Sequence, residues 1–542
     1  MIRLSDLALP LDHSPEALEA AAAARLGLTP AQVARVSVVR RGNDARKQAA
    51  IRLIYTLDVV LAEGVDEALV LAGFGGDDHV RVAPDTSYRP PVVAPVGWAG
   101  ERPVVIGAGP CGLMAALILA QMGLRPIIIE RGKAVRERTR DTWGLWRRSV
   151  LNPESNVQYG EGGAGTFSDG KLYSRIKDPR HLGRKVLVEF VKAGAPEDIL
   201  WEAHPHIGTF RLVTMVMSIR ETIERLGGEY RFQTRVCGFD IDDGQLVGLH
   251  VVGPEGAEGY VATRHCIMAV GHSARDTFEA LDAAGVFLEA KPFAIGVRIE
   301  HPQGWIDRAR YGQHAGNSVL GAAAYSISHQ ASNGRAVYSF CMCPGGRVVA
   351  AASEPGRVVT NGMSQYSRAE FNANSGLVVT VDPGVDFPGG PLAGMAFQRE
   401  LESAAFVAGG SDYRAPGQMV GDFVAGRASS GAFGKVVPSY QPGVLLGDLS
   451  ACLPGYVIEA LREALPVFGR QISGYDHPEV VMTGVETRTS SPLRITRGKD
   501  LQSLNTRGLY PGGEGAGYAG GILSAAVDGI RLAEALAVEV LK

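Results

Sequence analysis

Six cysteines in 542 residues are too few for a disulfide framework, which excludes the small stapled scaffolds of secreted proteins. Charge of one sign is missing as well. The 54 basic side chains face 57 acidic ones, and a net of −3 gives no field for steering onto nucleic acid. No uncharged run reaches the ~18 residues that a bilayer span needs. The first residues, Met1-Ile-Arg-Leu-Ser-Asp, lack the basic and apolar regions of a signal peptide. There is no internal repeat, no low-complexity tract, and no metal is expected. The expectation is a soluble, cytoplasmic protein with no transmembrane segment. Hydrophobic residues at 46% and charged residues at 20% give the balance of a globular chain that buries a sizeable core. At roughly 100–200 residues per domain it should contain two to four units.

Glycine is what the chain has in excess. Its 69 glycines are about 13% of the residues, against an average near 7%. Such a surplus suggests backbone packed closely against something, often a nucleotide.

Residues 1–85 read as a small α+β domain. A strand over 2–9 precedes a helix over 15–26, and two strand-like runs, 36–39 and 51–60, flank Arg40, Arg41, Arg46 and Lys47. That basic cluster is read as a solvated connection rather than a phosphate site. Four prolines, Pro84, Pro90, Pro91 and Pro95, mark a linker over 86–100.

The strand Val104-Val-Ile106 then runs into Gly107-Ala-Gly109-Pro110-Cys111-Gly112, with a helix over 113–122 behind it. Gly107 permits the tight turn, Gly109 lets backbone approach a pyrophosphate, and Gly112 lets the helix pack closely on the sheet. Free N–H groups at the helix start face the phosphates. The next strand, 126–130, ends in Glu130, 18 residues after Gly112, where a carboxylate can accept both ribose hydroxyls, with Arg131 beside it.

FAD or NAD is decided at the far end of the chain. Glycines 512, 513, 515, 517, 520 and 521 surround one acid, Glu514, and lead through Ile522 into a last helix from about 521 to 540. Gly513-Glu514 can hold ribityl hydroxyls, and Gly520-Gly521 can bring a helix start to a flavin ring, where its dipole favours the negative charge gained on reduction. Two such elements about 400 residues apart suit FAD, bound noncovalently. No second strand–GxGxxG–helix unit is present, so NAD(P)H would bind transiently or an electron-carrier protein would deliver electrons.

At the level of longer motifs the chain resembles the bacterial and plastid FAD-dependent dehydrogenases. These glutathione-reductase-like flavoproteins stand near the geranylgeranyl-reductase and aminoacetone-oxidase-like groups. The resemblance rests on residues 156–171 (NVQYGEGGAGTFSDGK), 269–276 (AVGHSARD), 340–346 (FCMCPGG), 484–492 (GVETRTSSP) and 513–522 (GEGAGYAGGI). It implies an α/β architecture with a Rossmann-like FAD-binding domain from 101–290 and 480–542, and a substrate or cap region inserted at 291–479. It also implies flavin-side roles for Gly163, Ser168 and Lys171, an adenine-side role for Val236, and a closing turn at Gly271.

Candidate chemistry beside the flavin is open. His272 titrates near neutral pH. Glu486 and Arg488, two apart, would share one side of a strand, and a mutual salt bridge is the simpler account. Arg494 and Arg497 could receive an anionic substrate. Cys341 and Cys343 could be a redox pair, although two packed thiols on one face of a buried strand fit the sequence better. The expected function is an FAD-dependent dehydrogenase or reductase of a small organic molecule. The alternatives are a reductase of lipid-like double bonds of the geranylgeranyl-reductase type, and a flavin-bearing redox sensor or binding protein.

Overall fold

The computed structural model describes residues 1–542. The N-terminal unit contains β1 (Ile2–Pro10), α1 (Pro15–Arg25), β2 (Val33–Asp44), β3 (Arg52–Leu61), α2 (Glu67–Ala72) and β4 (Val80–Val82). They form one sheet in the order β2-β3-β1-β4, closed over Ile2, Leu4, Leu57 and Val59. Of the basic cluster, Arg40 and Arg41 lie in β2, and Arg46 and Lys47 in the connection after it. Arg41 pairs with Glu202 and Arg46 with Asp44. The unit is docked on both other layers: Arg41 N–H donates to the Trp201 carbonyl (2.6 Å), and Gln48 Nε2 to that of Ala309 (2.8 Å). The proline-rich stretch that follows lies against the next layer through Tyr88, Val92, Ala94 and Trp98.

The second layer begins with β5 (Val104–Ile106), α3 (Pro110–Gln121), β6 (Ile127–Ile129), α4 (Val135–Arg148), α5 (Leu182–Lys192), α6 (Thr209–Arg225) and β7 (Glu229–Arg231). An antiparallel ribbon of β8 (Arg235–Asp242), β9 (Gln245–Val252) and β10 (Glu258–Ala262) leads to β11 (Cys266–Met268), α7 (Arg275–Ala283) and β12 (Leu288–Ala290).

The third layer is a large sheet of β13 (Phe293–Pro302), β14 (Ser328–Gln330), β15 (Ala336–Ala350), β16 (Thr360–Ser364), β17 (Asn372–Val381), β18 (Ala415–Met419), β19 (Val444–Leu446) and β20 (Val481–Glu486). It is flanked by α8 (Gln303–Tyr311), α9 (Ala393–Ala408), α10 (Val420–Val424) and α11 (Gly455–Gln471). Its pairs are antiparallel except β18–β19. All ten residues of β13 are buried, Arg298, Glu300 and His301 among them, so its polar side chains do not mark a solvent face. Because β20 pairs with β13 and β18, the layer extends to Glu486, and the boundary expected at 479/480 moves there.

The chain then returns through β21 (Leu493–Ile495), β22 (Leu509–Pro511) and α12 (Ile522–Val540). β22 completes a five-stranded sheet in the order β22-β11-β5-β6-β7, every pair parallel. The first βαβ unit and the last strand–helix unit thus lie in one sheet, with α3 packed on α12. The crossing is close because Gly529 leaves room for the Cys111 carbonyl, 2.2 Å from where a Cβ would stand. No helix is long and apolar enough to cross a membrane.

Candidate functional site

A single long cleft runs across the carboxyl ends of the parallel strands and under the large sheet. Its wall includes Gly107, Gly109, Glu130, Val236, Gly271, Gly513, Glu514, Gly521, Lys171, Cys341 and Glu486. Ligands of open parallel sheets bind at this edge.

At the first turn Gly107 has φ +97°, and a Cβ there would stand 2.4 Å from the Ala269 carbonyl. A Cβ on Gly112 would stand 1.9 Å from the Gly107 carbonyl, so α3 packs on the turn as well as on the sheet. Gly109, the residue capping α3, differs. A Cβ there would meet only the Gly163 Cα at 3.7 Å, an ordinary contact. Nothing in the protein itself requires glycine at 109; the space in front of it belongs to the cleft. Pro110, first residue of α3, removes an N–H that no helix bond would use. Cys111 is packed between Gly512, Gly513 and Gly529.

Glu130 is buried, and its carboxylate accepts backbone N–H bonds from Ala108 (2.8 Å), Gly132 (2.9 Å) and Gly160 (2.9 Å). A carboxylate offers about four acceptor sites. One therefore remains for a ribose hydroxyl, not the two expected from sequence. Arg131 is held by Asp276 (2.8 and 3.0 Å) and lies over the Tyr159 ring, 4.1 Å from its centre. Val236 faces the cleft from β8. Ser168 lines it too, although its hydroxyl donates to the Gly165 carbonyl (2.6 Å).

Gly520 and Gly521 stand at the start of α12, where a Cβ would meet no atom within 4 Å, and so does the turn at Gly271. Glu514 points its carboxylate into the cleft with no hydrogen-bond partner. Burial pushes it up to about 7, and Lys291 offsets only part of that rise. Open glycines before two helix starts, a buried acid with one free acceptor site and an unpartnered acid beside the last helix fit FAD. Gly107, Gly109 and Gly163 would hold its pyrophosphate, Glu130 its ribose, and Glu514 its ribityl chain.

The groups expected beside the flavin are arranged otherwise than the sequence suggested. Glu486 and Arg488 do not pair. Glu486 holds Arg298 in two bonds (2.8 and 2.9 Å), and Arg488 holds Glu402 (3.0 and 3.0 Å) and Ser353 (2.7 Å), because these partners come from β13 and α9 behind the wall. His272 does not titrate near neutral pH. Burial, then Arg488 and Arg275, push it down to about 3, so it is a neutral ring hydrogen-bonded to Ser273. Arg497 is committed to Asp528 (2.6 and 3.0 Å), and Arg494 lies over Tyr518. Cys341 and Cys343 are both free thiols facing the cleft, and they do not share one face of a flat strand. Cys341 has φ +43°, the pairing of β15 with β17 shifts on either side of Cys343, and the strand continues through Pro344 to Ala350. Cys341 is exposed to the cleft while Cys343 is buried, and the surrounding protein raises the Cys341 thiol against the pull of Lys171 and Arg298, so it is a thiol at neutral pH.

Sequence reasoning missed Arg138. Its fully buried guanidinium binds the carbonyls of Asn156 (2.8 Å), Val157 (2.8 Å), Glu161 (2.7 Å) and Gly163 (2.9 Å) and so shapes the loop that faces the first turn. It missed Arg275 too, which binds Glu402 (2.7 and 3.0 Å) and ties the flavin layer to the large sheet. No local spacing marks either residue, since their partners are backbone carbonyls and a distant helix.

Comparison with known proteins bears on this cleft. An FAD binding domain is matched over residues 102–149, and the family described as FAD-dependent protein, C-terminal domain-like, over 292–489. Residues 1–60 match a domain of unknown function. An uncharacterized protein of Clostridium beijerinckii is 46% identical over 539 residues, 98% of each chain. Among solved structures, glycine oxidase from Bacillus cereus is 12% identical (TM-score 0.36; 81% of this chain, 96% of that one). L-amino acid deaminase from Proteus vulgaris is 11% identical (TM-score 0.36; 83% and 96%). With one cleft shared by its FAD-binding segment and its C-terminal domain, and a bacterial relative aligned along nearly its full length, the chain belongs to a bacterial family of FAD-dependent proteins.

Proposed function

We propose that the protein is a dehydrogenase or reductase of a small organic molecule, which enters between the Gly162–Lys171 loop and the bulged part of β15. The observation that carries this reading is the division of the cleft. One part is backbone and glycine, and the other is a wall of side chains, Phe340, Cys341, Asn361, Glu486 and Thr489, left over for a substrate. Bound FAD would supply a two-electron acceptor or donor. The protein's part is to position and to set charge. Arg488 and Glu486 are fixed by buried partners, and α12 directs its first N–H groups at the cleft. His272 stays neutral and can orient a group without changing charge.

Electrons would come from NAD(P)H passing over the flavin or from a carrier protein, since only one parallel sheet with one glycine turn is present. Purified protein should carry about one noncovalent FAD per chain. Anaerobic mixing with NADH and with NADPH, followed at the flavin band, identifies the donor. Full reduction should take two electrons per chain, on the reading that Cys341 and Cys343 are separate thiols, Cys343 donating to the Cys341 carbonyl (3.3 Å), and not a disulfide. A four-electron titration that falls to two in Cys341→Ser/Cys343→Ser would replace this reading with dithiol chemistry. A flavin that bleaches with no substrate turned over would favour a redox sensor.

A further inference from the structure

Only two charged side chains on the cleft wall lack a partner, Glu514 and Lys171. Every other basic group there is committed: Arg131 and Arg235 to Asp276, and Arg488 to Glu402. The carboxylate nearest Lys171 in sequence, Asp169, is already bound in two bonds by Arg368 (3.0 and 2.6 Å). The backbone at Lys171 is fixed by its bridge to His206 and by the Leu172 N–H bond to Pro205 (2.9 Å). Lys171 lines the same cleft as Cys341 and Cys343, and its charge pulls both thiols down, in keeping with a place facing the bulge of β15.

Asn361 stands at the same place. Arg298 binds both the Cys341 carbonyl (3.1 Å) and Asn361 Oδ1 (3.1 Å), so the bulge and the amide meet at one guanidinium. The Gly362 N–H also donates to Asn361 Oδ1 (2.7 Å). Two donors on that oxygen fix the orientation of the amide, and its NH2 has no acceptor in the protein. Phe340 adds an apolar surface beside them.

A free ammonium, a free amide donor and an apolar wall make a recognition set, and resting on the flavoenzyme reading, we propose that Lys171 and Asn361 form the subsite for the carboxylate of a small monocarboxylic substrate. One cation with one neutral donor balances a single negative charge, whereas a phosphate dianion would be left half-compensated in a confined cleft. This places the anion-receiving role, for which the sequence offered Arg494 and Arg497 as candidates, on a residue of the flavin loop.

The test is a titration of the FAD-loaded protein with acetate and benzoate, following the visible flavin band, with benzyl alcohol and inorganic phosphate as separate arms. A saturable shift with a carboxylate, and none with the alcohol or phosphate, is expected. Lys171→Met should weaken the carboxylate response at least tenfold while retaining one FAD per chain, and Asn361→Ala should weaken it several-fold. The subsite is overturned if neither carboxylate shifts the band, if phosphate binds as tightly, or if Lys171→Met responds as the parent does. Loss of FAD from Lys171→Met would assign the lysine to the cofactor and overturn the subsite alone. Parent protein purified without FAD would overturn the flavoenzyme reading beneath it.

Discussion

In the parallel sheet the strands that reach the cleft are three residues long, and what they present is backbone at Gly107, Gly109 and Gly513. In the large sheet the strands that reach the cleft, β15, β16 and β20, run from five to fifteen residues and present side chains, of which Glu486 is held from behind by its buried pairing with Arg298. The two regions face one cavity and solve different problems. A pyrophosphate is recognised by N–H groups that need close approach, so the solution is absence of side chains over a few consecutive residues. A substrate is recognised by chosen side chains, and these must be fixed in place. In a wall with little water, fixing a charge means burying its partner as well.

The largest way to break this comparison is to remove the shared carboxylate behind the wall. Glu402 is fully buried between Arg275 and Arg488. Burial pushes it up, and the two guanidinium groups more than reverse that, holding it far below the usual carboxylate range. Glu402→Ala leaves Arg488 without a carboxylate and Arg275 with Glu354 alone, and should cost about 3–5 kcal/mol, read by urea denaturation. Adding Arg488→Met should recover part of the loss. If the single and double variants were equally destabilised, the network would not be holding the wall.

A second pair of variants sharpens the contrast inside the flavin layer. Gly112→Ala puts a methyl 1.9 Å from the Gly107 carbonyl and must displace α3. It should destabilise the protein by roughly 1–3 kcal/mol. Gly109→Ala meets no protein atom closer than 3.7 Å, and its φ of −77° suits alanine. It should unfold with the parent when FAD is removed, yet bind FAD much more weakly. Full FAD content in purified Gly109→Ala would show that the space in front of Gly109 is not the pyrophosphate site.

The same contrast explains what could be read from sequence. The strand at 104–106 was legible to the residue, and the last helix to within one, because glycine turns and an apolar stripe act within a dozen residues. The large sheet was not. Arg298 and Glu486 are 188 residues apart, and Arg275 and Glu402 are 127 apart, so no window contains both members. A spacing of two made Glu486 and Arg488 look like partners, although each had a closer one on another strand or helix. The continuation of β15 through Pro344-Gly345-Gly346 was hidden for a related reason. The residues that signal a turn are here absorbed by irregular pairing with β17 and by pairing of Gly346 with Ser364 on β16.

The smallest effect expected is electrostatic and belongs to the one unpartnered acid of the glycine half. Burial raises Glu514 from its ordinary 4.5 to about 7. A group raised in this way favours folding most when it is protonated, below the unfolded value. That contribution is lost as pH rises through about 7. FAD-free protein should therefore lose on the order of 2 kcal/mol between pH 4.5 and 8, and Glu514→Gln should flatten that slope. Ribityl hydroxyls donating to the carboxylate would favour its charged form and draw the value back down. FAD binding near pH 7 should then release a fraction of a proton, measured by calorimetry in two buffers of different ionisation enthalpy. The release should vanish in Glu514→Gln. Equal release from parent and variant would place the titrating group elsewhere and take the ribityl contact away from Glu514.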